Sequence, residues 1–197
     1  MSKKNKIAGV DEVGRGCLAG PVFAAAVILN NKINKKNIKD SKKISFKKRL
    51  IISRYIKKNC MYAIGRASVK EINKINILNA SLLSMKRALN KLKYKPSVAY
   101  IDGPFAPKKI KIKCRTYIRG DEKIKSIAAA SIVAKVARDL FMINLSKKYP
   151  KYCWDKNFGY GTDEHLKRLK KYGPTKIHRK NFKPIHKMLM IKTRETQ

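Results

Sequence analysis

Acidic side chains are scarce in this chain: 12 Asp and Glu stand against 49 Lys and Arg in 197 residues, a formal net charge of +37. Cysteine is sparse too. The four, at positions 17, 60, 114 and 153, lie far apart and form no CxxC pair. That argues against a zinc ribbon or a redox dithiol and fits free thiols in a reducing cytosol. The histidines, His165, His178 and His186, lack HExxH spacing, and glycines 9, 14, 16 and 20 match neither GxGxxG nor GxxxxGK[ST]. A zincin helix and a phosphate-cradling nucleotide loop are therefore unsupported. Long apolar runs are missing as well. The longest uncharged stretch, Gly16 to Asn31, contains Gly20 and Pro21 and is too short to cross a bilayer. Asp11, Glu12 and Arg15 interrupt the apolar core that a secretory leader would need.

What is present suffices for a folded protein. Hydrophobic residues make up 44%, and the length suits one domain over residues 1–197 with a real core. The basic surplus points to a polyanion, nucleic acid before an anionic membrane. It has a second possible source. The cations are 38 Lys and 11 Arg, and the chain is also rich in Ile and Asn. All three abundant types have A/T-rich codons, so base composition alone could load the surface with lysine.

Pattern along the chain predicts an α/β protein. Residues 6–13 and 21–29 read as two strands around a glycine-rich turn, a candidate hairpin. Residues 30–43 read as a polar loop holding Asp40-Ser41-Lys42. Helical spacing follows over 45–58, with Ser45 as cap, then a strand over 61–69 and helices over 71–75 and 78–92. Strands are expected over 98–102 and 110–117, and the most apolar helix over 126–145. Beyond Pro150 the chain turns aromatic and basic, with helices near 163–172 and 182–192, a helical C-terminal portion.

Against such a basic background the acids carry the information. Asp11 and Asp102 each stand near the C-terminal end of an apolar strand, just before a glycine-containing turn. Ligand sites collect at strand ends of α/β sheets. Carboxylates there suit Mg²⁺ or Mn²⁺, which prefer hard oxygen donors, and two such ions can assist phosphodiester cleavage. That chemistry would join the acids to the basic surface, with lysines holding backbone phosphates. On position alone, a turn or capping role for either acid stays open. Glu12 raises a geometric difficulty, because adjacent strand residues point to opposite faces.

The segments IAGVDEVGRGCLAGPVFAAAVIL, DSKKIS at 40–45, IDGP at 101–104, GDEKIKSIAAASIVAKVARD at 120–139, GYGTDEH at 159–165 and HRKNF at 178–182 resemble ribonuclease HII. They cover almost the whole chain in family order. The resemblance implies a ribonuclease H-like fold, a central mixed β-sheet flanked by helices. It implies cleavage of the RNA strand of RNA–DNA hybrids and of the bond 5′ to a single ribonucleotide in duplex DNA, leaving 3′-hydroxyl and 5′-phosphate ends. The divalent-metal ligands would match Asp11, Glu12, Asp102 and Asp121, with Asp139 the rival for the fourth place. Gly14, Arg15 and Gly16 match the family's GRG loop, which reads the ribonucleotide 2′-hydroxyl, a group that separates RNA from DNA locally. Tyr160 matches a tyrosine that stacks on the sugar at the junction. Lys135 and Arg138 are expected either to reach phosphate or to be solvated or paired. His165 and His178 are expected to orient the C-terminal helices.

Ribonuclease HIII, the sister type, carries an extra N-terminal domain and a different loop. Here the catalytic strand begins within ten residues of Met1 and GRG is intact, which favours type HII. A monomer in the cytoplasm, free of any membrane, is the accompanying expectation. From another class, a non-catalytic basic RNA-binding protein with the same fold is the alternative, and the intact acid set argues against it.

Overall fold

In the computed structural model, which describes residues 6–36, 38 and 44–195, strand β1 (Ile7–Val13) runs antiparallel to β2 (Val22–Ile28) as the predicted hairpin. β2 pairs antiparallel with β3 (Met61–Ala67) on one side. On the other, β1 pairs parallel with β4 (Val98–Asp102), which pairs parallel with β5 (Lys113–Tyr117). The sheet is therefore mixed, in the order β3-β2-β1-β4-β5. All of β2, VFAAAVI, is buried, as an inner strand covered on both faces must be. The Asp40-Ser41-Lys42 motif falls outside the described residues.

Strand alternation divides the core. Ala8, Val10, Ala99 and Ile101 face helix α2 (Val69–Lys91) and meet Met85, Ala88 and Leu89. Residues of opposite parity, such as Ala25 and Val27, face helix α4 (Lys125–Ser146) and helix α1 (Phe46–Asn59). α4 comes unusually near the sheet. A β-carbon on Gly9 would collide with the backbone of Ser126 and Ile127, so only glycine lets this helix settle there.

Several boundaries differ from the sequence expectation, each for a local reason. The two helices expected over 71–75 and 78–92 are both present within the span α2, and they are separated at Asn76, whose φ of 64° breaks the spiral. The Asn76 Oδ1 accepts the Asn79 N–H at 3.0 Å and caps the second half. α2 itself starts with a capping box, Ser68 to Glu71. β5 begins at Lys113 instead of residue 110, because β4 starts only at Val98 and that residue already pairs with Lys113. α3 (Gly120–Lys123), a 3₁₀ turn at Pro150–Tyr152 and α5 (Trp154–Asn157) are too short to leave a periodic pattern.

The C-terminal portion is helical as predicted, with α6 (Asp163–Tyr172) capped by Thr162 and α7 spanning Lys183–Glu195. It packs on the second half of α4 through Met142, Tyr152, Trp154, Leu169 and Ile185, joined by Leu18 and Ala19 from the β1–β2 loop. Among the described residues no helix is long and apolar enough to cross a membrane.

Candidate active site

Parallel register between β1 and β4 pairs Val10 with Ile101, so the next residues, Asp11 and Asp102, emerge side by side on the face toward α4. A third carboxylate arrives from α3. The Gly120 N–H donates to the Asp102 Oδ1 at 2.7 Å, and the Ile124 N–H closes that turn on the Gly120 carbonyl at 2.8 Å. Asp102 thus anchors the short helix that carries buried Asp121 inward. One oxygen from each of Asp11, Asp102 and Asp121 lies within 4.8 Å of the others.

The charges in this cluster oppose one another. Burial pushes the Asp11 carboxyl well above its usual range, and the neighbouring Glu12 and Asp102 charges push it further. The Ser131 hydroxyl from α4 and the Glu12 N–H, at 2.7 Å from Asp11 Oδ1, pull the other way. Glu12 is raised too, mainly by burial; Arg15 counters this from 3.2 Å. Glu12 does not join the three-oxygen cluster. As alternation requires, its side chain lies toward α2, lining a cleft with Arg15, Ser81, Leu82 and Asp102. The two faces meet only where the strands end.

Gly14, Arg15 and Gly16 form the turn directly after β1, with Gly14 at a φ of +92° and Arg15 and Gly16 exposed. Cys17, the next residue, makes an antiparallel bridge with Tyr160, so turn and tyrosine are backbone neighbours. The Tyr160 ring is half-buried, with Lys135 Nζ 5.3 Å and the Arg138 guanidinium 5.8 Å from its centroid. Burial raises its hydroxyl to about 12, so it stays a neutral donor at working pH.

Asp139 stands elsewhere in the network. It is fully buried, bonded to Lys135 Nζ at 2.8 Å with Arg49 at 3.9 Å, and is no member of the three-carboxylate cluster. Of the two fates expected for Lys135 and Arg138, the paired one holds. Lys135 serves Asp139, and Arg138 is fully buried against main-chain carbonyls.

His165 and His178 orient the C-terminal helices through a chain with one consistent proton arrangement. The Thr175 N–H donates to His178 Nδ1 at 2.9 Å, leaving the proton on His178 Nε2 to face His165 Nε2 at 3.3 Å. That same His165 nitrogen accepts the Trp154 indole N–H at 3.1 Å, so His165 carries its proton on Nδ1, 2.8 Å from the Tyr160 carbonyl. Both rings are neutral; burial lowers His165, and burial with the nearby His165 lowers His178 to about 3. Sequence reading gave no role to Trp154, Ser131 or Arg179. Ser131 and Arg179 carried a signal, as residues inside the segments 120–139 and HRKNF.

The family model for ribonuclease HII matches residues 8–185. The chain belongs to the ribonuclease HII family. It is 60% identical over 183 residues to the ribonuclease HII of Pelagibacter ubique, covering 93% of this chain and 98% of that protein. It is 47% identical to that of Caldicellulosiruptor bescii, covering 89% and 85%. Among solved structures, the ribonuclease H2 of Pyrococcus horikoshii is 27% identical with a TM-score of 0.77, covering 94% of this chain and 98% of that one. A Bst ribonuclease HIII crystallised with Mn²⁺ shares the fold at 20% identity and a TM-score of 0.73, covering 96% and 70%. Membership makes this a ribonuclease H, an endonuclease that hydrolyses RNA in nucleic-acid substrates such as RNA–DNA hybrids, in a family that uses divalent metals.

Proposed function

We propose that this member of the family cuts the RNA strand of RNA–DNA hybrids and the bond 5′ to single ribonucleotides in duplex DNA, leaving 3′-hydroxyl and 5′-phosphate ends. The observation that carries the reading is the trio of Asp11, Asp102 and Asp121 oxygens within 4.8 Å of one another at paired strand ends. Such a trio fits a divalent cation. Its donors are hard carboxylate oxygens, and the charges acting on Asp11 from Glu12 and Asp102 share its own sign. Asp11, Asp102 and Asp121 would hold Mg²⁺ or Mn²⁺, with Glu12 completing the set from the α2 side, and the four carboxylates would accommodate two such ions. Bound there, they supply activation of a water and stabilisation of the leaving oxygen. The Mn²⁺ in the ribonuclease HIII crystal supports that choice of ion.

The remaining work falls to the chain itself. The Gly14-Arg15-Gly16 turn reads the 2′-hydroxyl with backbone groups, since glycine lets a sugar come close. Arg15, its side chain 47% exposed, can fork onto a phosphate. Tyr160 offers a flat ring to the sugar next to the junction and a neutral hydroxyl for a hydrogen bond. Surface lysines grip the duplex backbone, which makes binding steeply salt-dependent. One catalytic domain, acting as a monomer in the cytoplasm, is the form we propose.

The test is cleavage of a duplex holding one ribonucleotide, with Mg²⁺, with Mn²⁺ and with chelator. Metal-dependent cutting on its 5′ side is expected. No cutting by folded protein across a range of metal concentrations would favour the non-catalytic RNA-binding reading.

A further inference from the structure

The eight-residue loop from Gly14 to Pro21 has two guanidinium groups beneath it, both without solvent exposure: Arg179, just before α7, and Arg138, on α4. Arg179 donates to the carbonyls of Gly14 at 2.6 Å, Arg15 at 2.8 Å and Gly20 at 3.0 Å. Arg138 donates to those of Ala19 at 3.1 Å, Pro21 at 3.0 Å and Phe158 at 2.9 Å. Every guanidinium nitrogen thus ends on a main-chain carbonyl. Among the described residues, neither arginine makes an ion pair with a carboxylate.

Burying two neighbouring cations without counter-ions is costly, and closing a loop alone does not require it. What the arrangement secures is direction. Five loop carbonyls are drawn inward, while the Arg15 side chain and Gly16 remain on the outer side. Gly14 fits only because it lacks a β-carbon, which would strike the Arg138 side chain.

We propose that Arg179 and Arg138 are positioning residues for the cleavage reaction. They set the height and direction of the Gly14-Arg15-Gly16 turn relative to Asp11 and Asp102, and thereby which phosphodiester bond reaches the carboxylates. The proposal rests on the turn being a substrate contact. Lysine cannot do the same work, because one ammonium cannot reach three carbonyls as a planar fork does.

The test is Arg179→Lys, assayed on a duplex with one ribonucleotide and normalised to the folded fraction by circular dichroism. A displacement near 1 Å costs on the order of 10²-fold in rate, so kcat should fall by about that much. KM should stay within about threefold, because duplex affinity comes from many surface phosphate contacts. Mapped products should spread to neighbouring bonds, which a purely structural role would not cause. A kcat per folded molecule near that of the wild type, or a raised KM with unchanged kcat and a single cut site, overturns the proposal. If Arg179→Lys does not fold, Arg138→Lys takes its place; failure of both to fold also overturns it, leaving a structural role. Gly16→Ala separates the underlying reading. A β-carbon there meets nothing in the protein, so melting should not change while cleavage drops. Wild-type cleavage by Gly16→Ala refutes the substrate contact; impaired Gly16→Ala beside unimpaired Arg179→Lys refutes the positioning alone.

Discussion

Asp11→Asn should make the metal-free protein more stable while abolishing cleavage. Asparagine keeps an Oδ1 to accept the Glu12 N–H and removes a negative charge from a site where Asp102 and Asp121 present oxygens within 4.8 Å. At an effective dielectric near 20, each such repulsion is worth about 3 kcal/mol. Weaker hydrogen bonds from Ser131 and the Glu12 N–H to a neutral oxygen take back about 1 kcal/mol each. The net gain of about 4 kcal/mol corresponds to a melting shift of about 8–16 °C for a chain of this length. The sign can be checked by pH. Asp11 is raised in the folded state, so the stability it contributes is fullest below the ordinary carboxyl range and is lost as pH rises through the raised value. The advantage of the variant over wild type should therefore be wide at pH 7.5 and close toward pH 4. Mg²⁺ or Mn²⁺ should narrow the gap from the other side, since a ligand at about 100 times its Kd adds ~2.7 kcal/mol to wild type alone. Scanning fluorimetry in chelator, then in metal, reads all three effects. A lower metal-free melting temperature for Asp11→Asn, or a gap indifferent to pH, would refute the crowded-charge account of this site.

Asp102→Asn should abolish cleavage yet leave hybrid binding within about threefold in a filter or anisotropy assay, since phosphate contacts dominate affinity; parallel loss of both would count against a ligand role. Tyr160→Ala should impair cutting at single ribonucleotides more than in long hybrids, and equal losses would assign the ring to packing. His178 is lowered to about 3, so the stability it lends is complete above its ordinary value near 6.5 and drains away as pH falls toward 3. The loss reaches up to ~1.4 kcal/mol per pH unit. His178→Asn should flatten that part of a melting-against-pH curve. Gly9→Ala should lower the melting temperature by several degrees, because its methyl meets backbone at Ser126 and Ile127, and such overpacking costs ~1–3 kcal/mol.

The sheet was legible wherever strands were apolar and bounded by glycine or proline, and the Asp11–Asp102 pairing follows from two strands ending alike. β5 was overextended since the Ile110-Lys-Ile112 alternation looks the same whether or not a partner strand lies opposite. The break in α2 at Asn76 was legible as a gap between two helical patterns. Asp121 could be ranked above Asp139 only by resemblance; three-dimensional packing separates them physically, placing one beside two carboxylates and the other beside Lys135 and Arg49. The arginine clamp beneath the loop was beyond reach, because Arg138 and Arg179 lie more than a hundred residues from the carbonyls they hold in the loop. No local pattern records such a separation.

α4 acts as a ruler for the whole enzyme. Along one rigid rod it lays its first turn on Gly9, Ser131 on Asp11, Arg138 under the loop and Met142 beneath Gly20 and Gly159. Each residue of a helix turns its neighbours by about 100°. Inserting one residue after Ile127 would therefore swing Ser131, Arg138 and Met142 off their marks together, uncoupling the acids, the loop and the C-terminal helices in one event. Length changes in this lineage should accumulate in the polar segment between β2 and α1 and be shut out of these 22 residues.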